Sequence, residues 1–250
     1  LIKEIKNMRT AFYAGASGLP AAQEGMDNLA NNVANVSTTG YKPQNISFQS
    51  LIYDEMYVNT PTDPEKGNGV KSEINDTNFN QSSLVPTNYD LDFALTSNAL
   101  FAVEQDGLTA YTRAGNFSIG MAGEVGFLVT ANGDFVLDKN GQRIMLEKEP
   151  NTNNFDTSNL KNQIGLFTFN NPNYLTPVAN NLYAVSVKSG EAVAVENNEG
   201  YLIQGALEQS GTNLADEMAE MITVQRAFQL AARVVSTAEE NQRTINELRR

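Results

Sequence analysis

The chain has 250 residues, 41% of them hydrophobic and 18% charged, with a formal charge of −12 and neither cysteine nor histidine. That inventory excludes disulfide frameworks, thiolate nucleophiles, imidazole bases and His/Cys metal cages. The charge is uneven: residues 1–50 and 201–250 together carry −1, whereas residues 51–200 carry eight basic and nineteen acidic side chains, so no basic face exists to displace counterions from nucleic acid.

From the N-terminus, Leu1, Ile5, Met8, Phe12, Gly15, Leu19, Ala22, Met26, Leu29, Val33 and Val36 recur by alternating steps of four and three. That spacing is the a/d seam of a long one-sided helix, which ends in Ser37-Thr38-Thr39-Gly40, residues that favour caps and turns. Pro20 interrupts the pattern and leaves two options: a kink near Ala16–Pro20, or a helix starting at Leu19 with Ser17 as its cap. Asn31, Asn32 and Asn35 are indifferent helix formers. They suit either a solvated helix end or buried amides that fix register between packed helices.

Residues 41–88 read as an extended, irregular connector, with a loop by composition from Asn59 to Gly69. Over residues 89–200 the apolar period shortens to two. Asn132-Gly133 separates Leu128–Ala131 from Phe135–Leu137, and Asn140-Gly141 precedes Ile144, both in hairpin positions. Further runs at Ile164–Phe169, Tyr183–Val187 and Ala192–Val195 complete a β-rich antiparallel domain. Asp134, Asp138 and Asn140 lack the spacing and closing glutamate of a calcium loop, and read as turn residues.

The last segment, 201–250, returns to helix from Thr212, with Leu214, Met218, Met221, Gln225, Phe228, Ala232 and Val235 again stepping by four and three. Ser210 or Thr212 is placed to cap it, and Asp216 and Glu217 suit its N-terminal end. The fold class predicted is α+β: long N- and C-terminal helices paired as a coiled coil around a central β-rich antiparallel domain. No run reaches the roughly 18 apolar residues of a membrane span, and the N-terminus lacks the layout of a cleaved secretory signal. Such a plan fits a polymerising subunit. A secreted binding module presenting its acidic β-domain, or a carboxylate hydrolase of wall polymers, are the alternatives.

The block from Leu29 to Lys42, followed by Phe48-Gln49-Ser50-Leu51-Ile52-Tyr53, resembles the N-terminal signature of the bacterial flagellar rod and hook proteins. The run from Gln204 to Met218, continued by Met221 to Phe228, is similar to that family's other end. Leu91-Asp92-Phe93-Ala94-Leu95 and Tyr111-Thr112-Arg113-Ala114-Gly115-Asn116-Phe117 resemble the β-domain entry of its rod subset. Thr96–Phe101, Gln229–Ala232 and Glu239–Gln242 depart from the usual pattern. The resemblance implies an exported, envelope-spanning structural subunit of the basal body, not an enzyme and without cofactor or metal. Its implied partners are copies of itself, other rod and hook proteins and the flagellar export apparatus. Terminal helices would line a hollow torque-transmitting shaft. Leu19, Met26, Leu29, Val33 and Val36 would then form one side of the assembly seam, and Leu214, Met218, Met221, Ile222, Phe228 and Val235 the other. Asn31, Asn32, Asn35, Thr39, Gly40 and Tyr41 would set register and turn the chain outward.

Overall fold

The computed structural model describes residues 2–51, 54–55, 65–123, 125–146, 155, 157, 159–196, 198 and 200–248. Chain order is α1 (Ile2–Ala34), β1 (Gln44–Ser50), β2 (Asp54–Glu55), β3 (Glu65–Lys66), β4 (Val70–Thr77), β5 (Leu84–Pro86), β6 (Phe93–Leu95), β7 (Leu100–Gln105), β8 (Leu108–Thr112), β9 (Ser118–Ala122), β10 (Val125–Val129), β11 (Phe135–Val136), β12 (Met145–Leu146), α2 (Leu160–Gln163), β13 (Leu166–Thr168), β14 (Thr176–Pro177), β15 (Leu182–Ala184), β16 (Val193–Ala194), β17 (Leu202–Gln204), β18 (Ala206–Glu208) and α3 (Leu214–Leu248). The chain is α+β and divides into two units. One holds α1, residues 44–75 and α3; the other holds residues 35–43 and 76–212.

In the first unit, α1 runs unbroken through Pro20, so the helix does not start at Leu19. Ser17 is no cap: its hydroxyl donates to the Ala14 carbonyl (2.9 Å) and accepts the Val70 N–H (3.2 Å). The helix stops at Ala34, two residues before Val36. α3 is capped by Asn213 rather than Ser210 or Thr212, because the Asn213 side-chain oxygen takes the Ala215 N–H at 3.2 Å. Part of the segment read as irregular is a ribbon: β1 pairs with β4, and β2 pairs with β3 in the register Asp54↔Lys66. Ile46 and Phe48 carry a two-residue alternation in β1, too short to stand out among polar neighbours. Residues 59–64 of the expected loop lie outside the described residues.

The second unit is built, among the described residues, on a ten-stranded antiparallel sheet whose main path runs β12-β10-β11-β7-β8-β15-β14. β7 is apolar on both faces: Phe101 and Val103 point into the larger core with Leu128, Ile164 and Leu166, while Leu100 and Ala102 meet Tyr111, Leu137 and Tyr183. Burial on two sides contributes about 1.5–3 kcal/mol per large side chain. The Asn-Gly hairpins stand where the sequence put them, β10 turning into β11 with Val129 opposite Phe135. Each closes as a three-residue loop with glycine in the left-handed region, Gly133 at φ +93° and Gly141 at φ +77°. The Asp138 carboxylate accepts the backbone N–H groups of Asn140 and Gln142 (2.8 Å each), which is turn chemistry.

Candidate functional site

Two places in the chain gather the residues that the motifs single out. The first is the helix pair. α1 and α3 run antiparallel: Gly15 lies against Ala231 and Val235, Gly25 against Val224, and Asn32 reaches Glu217. Ala22, Leu29 and Val224 are buried together, with Met26, Met221 and Phe228 partly buried against them. Leu19, Val33 and Val235 are also partly buried. The face of α3 turned to α1 therefore steps Glu217, Met221, Val224, Phe228, Ala231, Val235, Ala238. It shares Met221, Phe228 and Val235 with the sequence-derived seam and replaces Gln225 by Val224. Leu214, Met218 and Ile222 stand 39%, 50% and 52% exposed at four-residue spacing: Leu214, the first residue of α3, is two turns before Met221 in the same row, while Met218 and Ile222 turn progressively away from that row. Leu230 and Val234 are exposed as well.

Asn32 is buried within this unit. Its amide donates to the Gln44 carbonyl (3.0 Å) and to the Glu217 carboxylate (3.2 Å), and its oxygen accepts the Gln44 N–H (3.2 Å). One side chain thus ties α1 to β1 and to α3. Burial raises the Glu217 pKa, opposed by the Asn32 hydrogen bond and assisted by the charges of Glu220 and Asp216. A carboxyl whose folded pKa exceeds its unfolded value holds its proton longer in the fold. Its contribution therefore grows as pH falls through the folded pKa and is complete below the unfolded one. The helix pair is expected to exchange its amides more slowly at pH 5 than at pH 7 after correction for intrinsic rates. Glu217→Gln should remove that difference, and a pH dependence unchanged in the variant would show that another group is responsible.

The second place is the turn after α1, which belongs to the β-rich unit. Thr38 bonds back to Asn35, through its hydroxyl to the Asn35 side-chain oxygen (3.0 Å) and its N–H to the Asn35 carbonyl (3.1 Å). The Asn181 amide donates to the Thr39 carbonyl (3.1 Å). Gly40 adopts φ +63°, and a Cβ there would stand 2.7 Å from the Arg113 carbonyl carbon and oxygen. The Gly40 N–H donates to the Glu208 carbonyl (2.8 Å), and the Tyr41 carbonyl accepts the Gly211 N–H (2.9 Å). Tyr41 is buried, as is Tyr183, whose phenol is held well above its ordinary pKa by burial and by Tyr41. Val36 is partly buried in the same unit, and Asn31 is exposed at the end of α1.

Beneath this turn lies an ion cluster that the sequence reading did not assign. Lys42, Arg113 and Glu208 are 1%, 2% and 1% exposed. Glu208 accepts Lys42 Nζ at 2.7 Å on one oxygen and Arg113 Nε at 2.5 Å on the other, with the Ser82 N–H at 2.7 Å. Lys42 also donates to the Asn80 carbonyl, and Arg113 to the carbonyls of Ala99 and Leu95. Burial lowers the Lys42 pKa, and its bond to Glu208 works against that shift. All three residues sit inside the runs quoted for the resemblance, but tertiary pairing of charges leaves no periodic trace.

Comparison with known proteins agrees with both places. Residues 12–42 match the family described as "Flagella basal body rod protein", and residues 203–248 match "Flagellar basal body rod FlgEFG protein C-terminal". The chain is 30% identical to the flagellar basal-body rod protein FlgG of Bacillus subtilis, across 97% of this chain and all of that one. It is 31% identical to FlgG of Borreliella burgdorferi with the same coverage, 97% and 100%. A flagellar hook-basal body complex protein of Bacillus subtilis, FlhP, is 28% identical over 97% of this chain and all of its own length. The near-complete alignment, with the two matched ends supplying the helix pair and the Gly40–Glu208 junction, establishes that the chain belongs to the flagellar basal-body rod protein family, as a structural protein of the FlgG type.

Proposed function

We propose that this rod subunit polymerises through its terminal helices into a hollow shaft that transmits torque, α1 and α3 of each copy pairing as a coiled coil and adjoining the helices of neighbouring copies. The observation that carries this reading is the apolar side chains that α3 leaves open to solvent: Leu214, Met218 and Ile222 recur at four-residue spacing and are exposed in the single chain. Apolar rows of this kind mark interaction surfaces. Covering them against another copy contributes about 25 cal/mol per Å² of apolar surface. A contact between unlike surfaces that does not close on itself extends into a filament. Partners beyond copies of itself would be the other rod and hook proteins and the flagellar export apparatus. Among the described residues no helix is long and apolar enough to cross a membrane.

Concentration tests the proposal. The purified chain is expected to gain sedimentation rate and light scattering as its concentration rises, and a strictly monomeric chain over the millimolar range would sink the reading. Met26→Asp places a charge in the cluster of Ala22, Leu29 and Val224. It should loosen the helix pair in the monomer by about 3 kcal/mol, read as lost helical circular dichroism before any assembly.

A further inference from the structure

The β-rich unit is closed by its own ends. Its last strands lie beside its first, β18 against β5 and β17 against β6. The Gln209 N–H meets the Ser83 carbonyl, and the Gly211 N–H meets the Tyr41 carbonyl, each at 2.9 Å. At the centre of that closure Glu208 takes Lys42 and Arg113, which stand 166 and 95 residues earlier in the chain. The other groups bonded to the two cations are neutral: the Asn80 carbonyl and Ser82 hydroxyl for Lys42, the Ala99 and Leu95 carbonyls for Arg113. Dipoles alone do not offset two positive charges withdrawn from water. Before Glu208 arrives, both cations must stay hydrated. That keeps residues 39–43 and the end of β8 undocked, and β8 is the neighbour of the twice-buried β7.

We infer that the Lys42–Glu208–Arg113 cluster is a closure latch: the β-rich unit reaches a stable fold only when β18 inserts Glu208 between the two cations. A chain emerging N-terminus first, as every chain leaves a ribosome, thus holds this unit open until residue 208 is free. The latch is a matter of charge balance, since the carboxylate turns two buried positive charges into a net of one.

Native-state hydrogen exchange on the full chain tests it with two variants. Glu208→Gln leaves both cations without a carboxylate, whereas Glu208→Gln combined with Lys42→Met restores a net of one. In Glu208→Gln, amides of Ala102, Val103 and Tyr111 are expected to lose protection about a hundredfold or more, in step with Val85 and Leu207. The double variant should regain at least about tenfold at both places. If Glu208→Gln does not fold at all, return of a cooperative fold in the double variant supports the latch, and its continued absence overturns it. Wild-type protection in β7 and β8 alongside losses confined to β5 and β18 would overturn it as well, as would a double variant no better than the single one.

Discussion

Chains carrying Met218→Asp are expected to fold as the unaltered chain does and to fail in assembly. Met218 is 50% exposed in the single chain, so the substitution should change monomer stability by no more than about 0.5 kcal/mol. In a filament the same position would be covered. Losing the half of the methionine still open to solvent removes about 1–1.5 kcal/mol per contact, and the carboxylate adds the cost of a charge with no partner. Because the contact repeats at every subunit, assembly should fall below detection and cells should not swim. Matched melting curves beside absent polymer would bear this out; normal rods would refute it. The contrast with Met26→Asp is informative, since that change acts inside the monomer.

Gly40→Ala should be far more damaging than the same change at a left-handed glycine with open space around it. The residue sits at φ +63°, where an L side chain costs about 1–2 kcal/mol. Its new Cβ would also stand 2.7–2.8 Å from backbone atoms of Arg113 and Ala114, which have no rotamer to swing away. Overpacking of that kind adds about 1–3 kcal/mol. Gly107 supplies the control: φ is +82°, yet nothing lies within 4 Å of a Cβ there. Denaturant unfolding is expected to show Gly40→Ala less stable than Gly107→Ala by about 2 kcal/mol. Equal losses would mean that the turn yields, and that the close approach to Arg113 is not rigid.

Both terminal helices were legible because a four-three apolar rhythm survives whatever the helix packs on. What that rhythm does not state is which apolar row faces the same molecule. On α3 the residues Met218 and Ile222 are as hydrophobic as Met221 and Val224, but it is the second pair that packs in the cluster with Ala22 and Leu29 of α1. The hairpins at Gly133 and Gly141 were legible through a local demand, a left-handed residue at a strand reversal. β1 and β4 were not, since a ribbon with few apolar positions carries little alternation. The Lys42, Arg113 and Glu208 cluster was invisible for a different reason: its members are far apart in sequence, and nothing local distinguishes a buried charge from a solvated one.

The division of the chain carries a mechanical consequence. The backbone crosses from one unit to the other four times, after residues 34, 43, 75 and 212. Four covalent ties therefore join the units instead of a single linker, and cutting the backbone at one of them leaves the units joined through the other three.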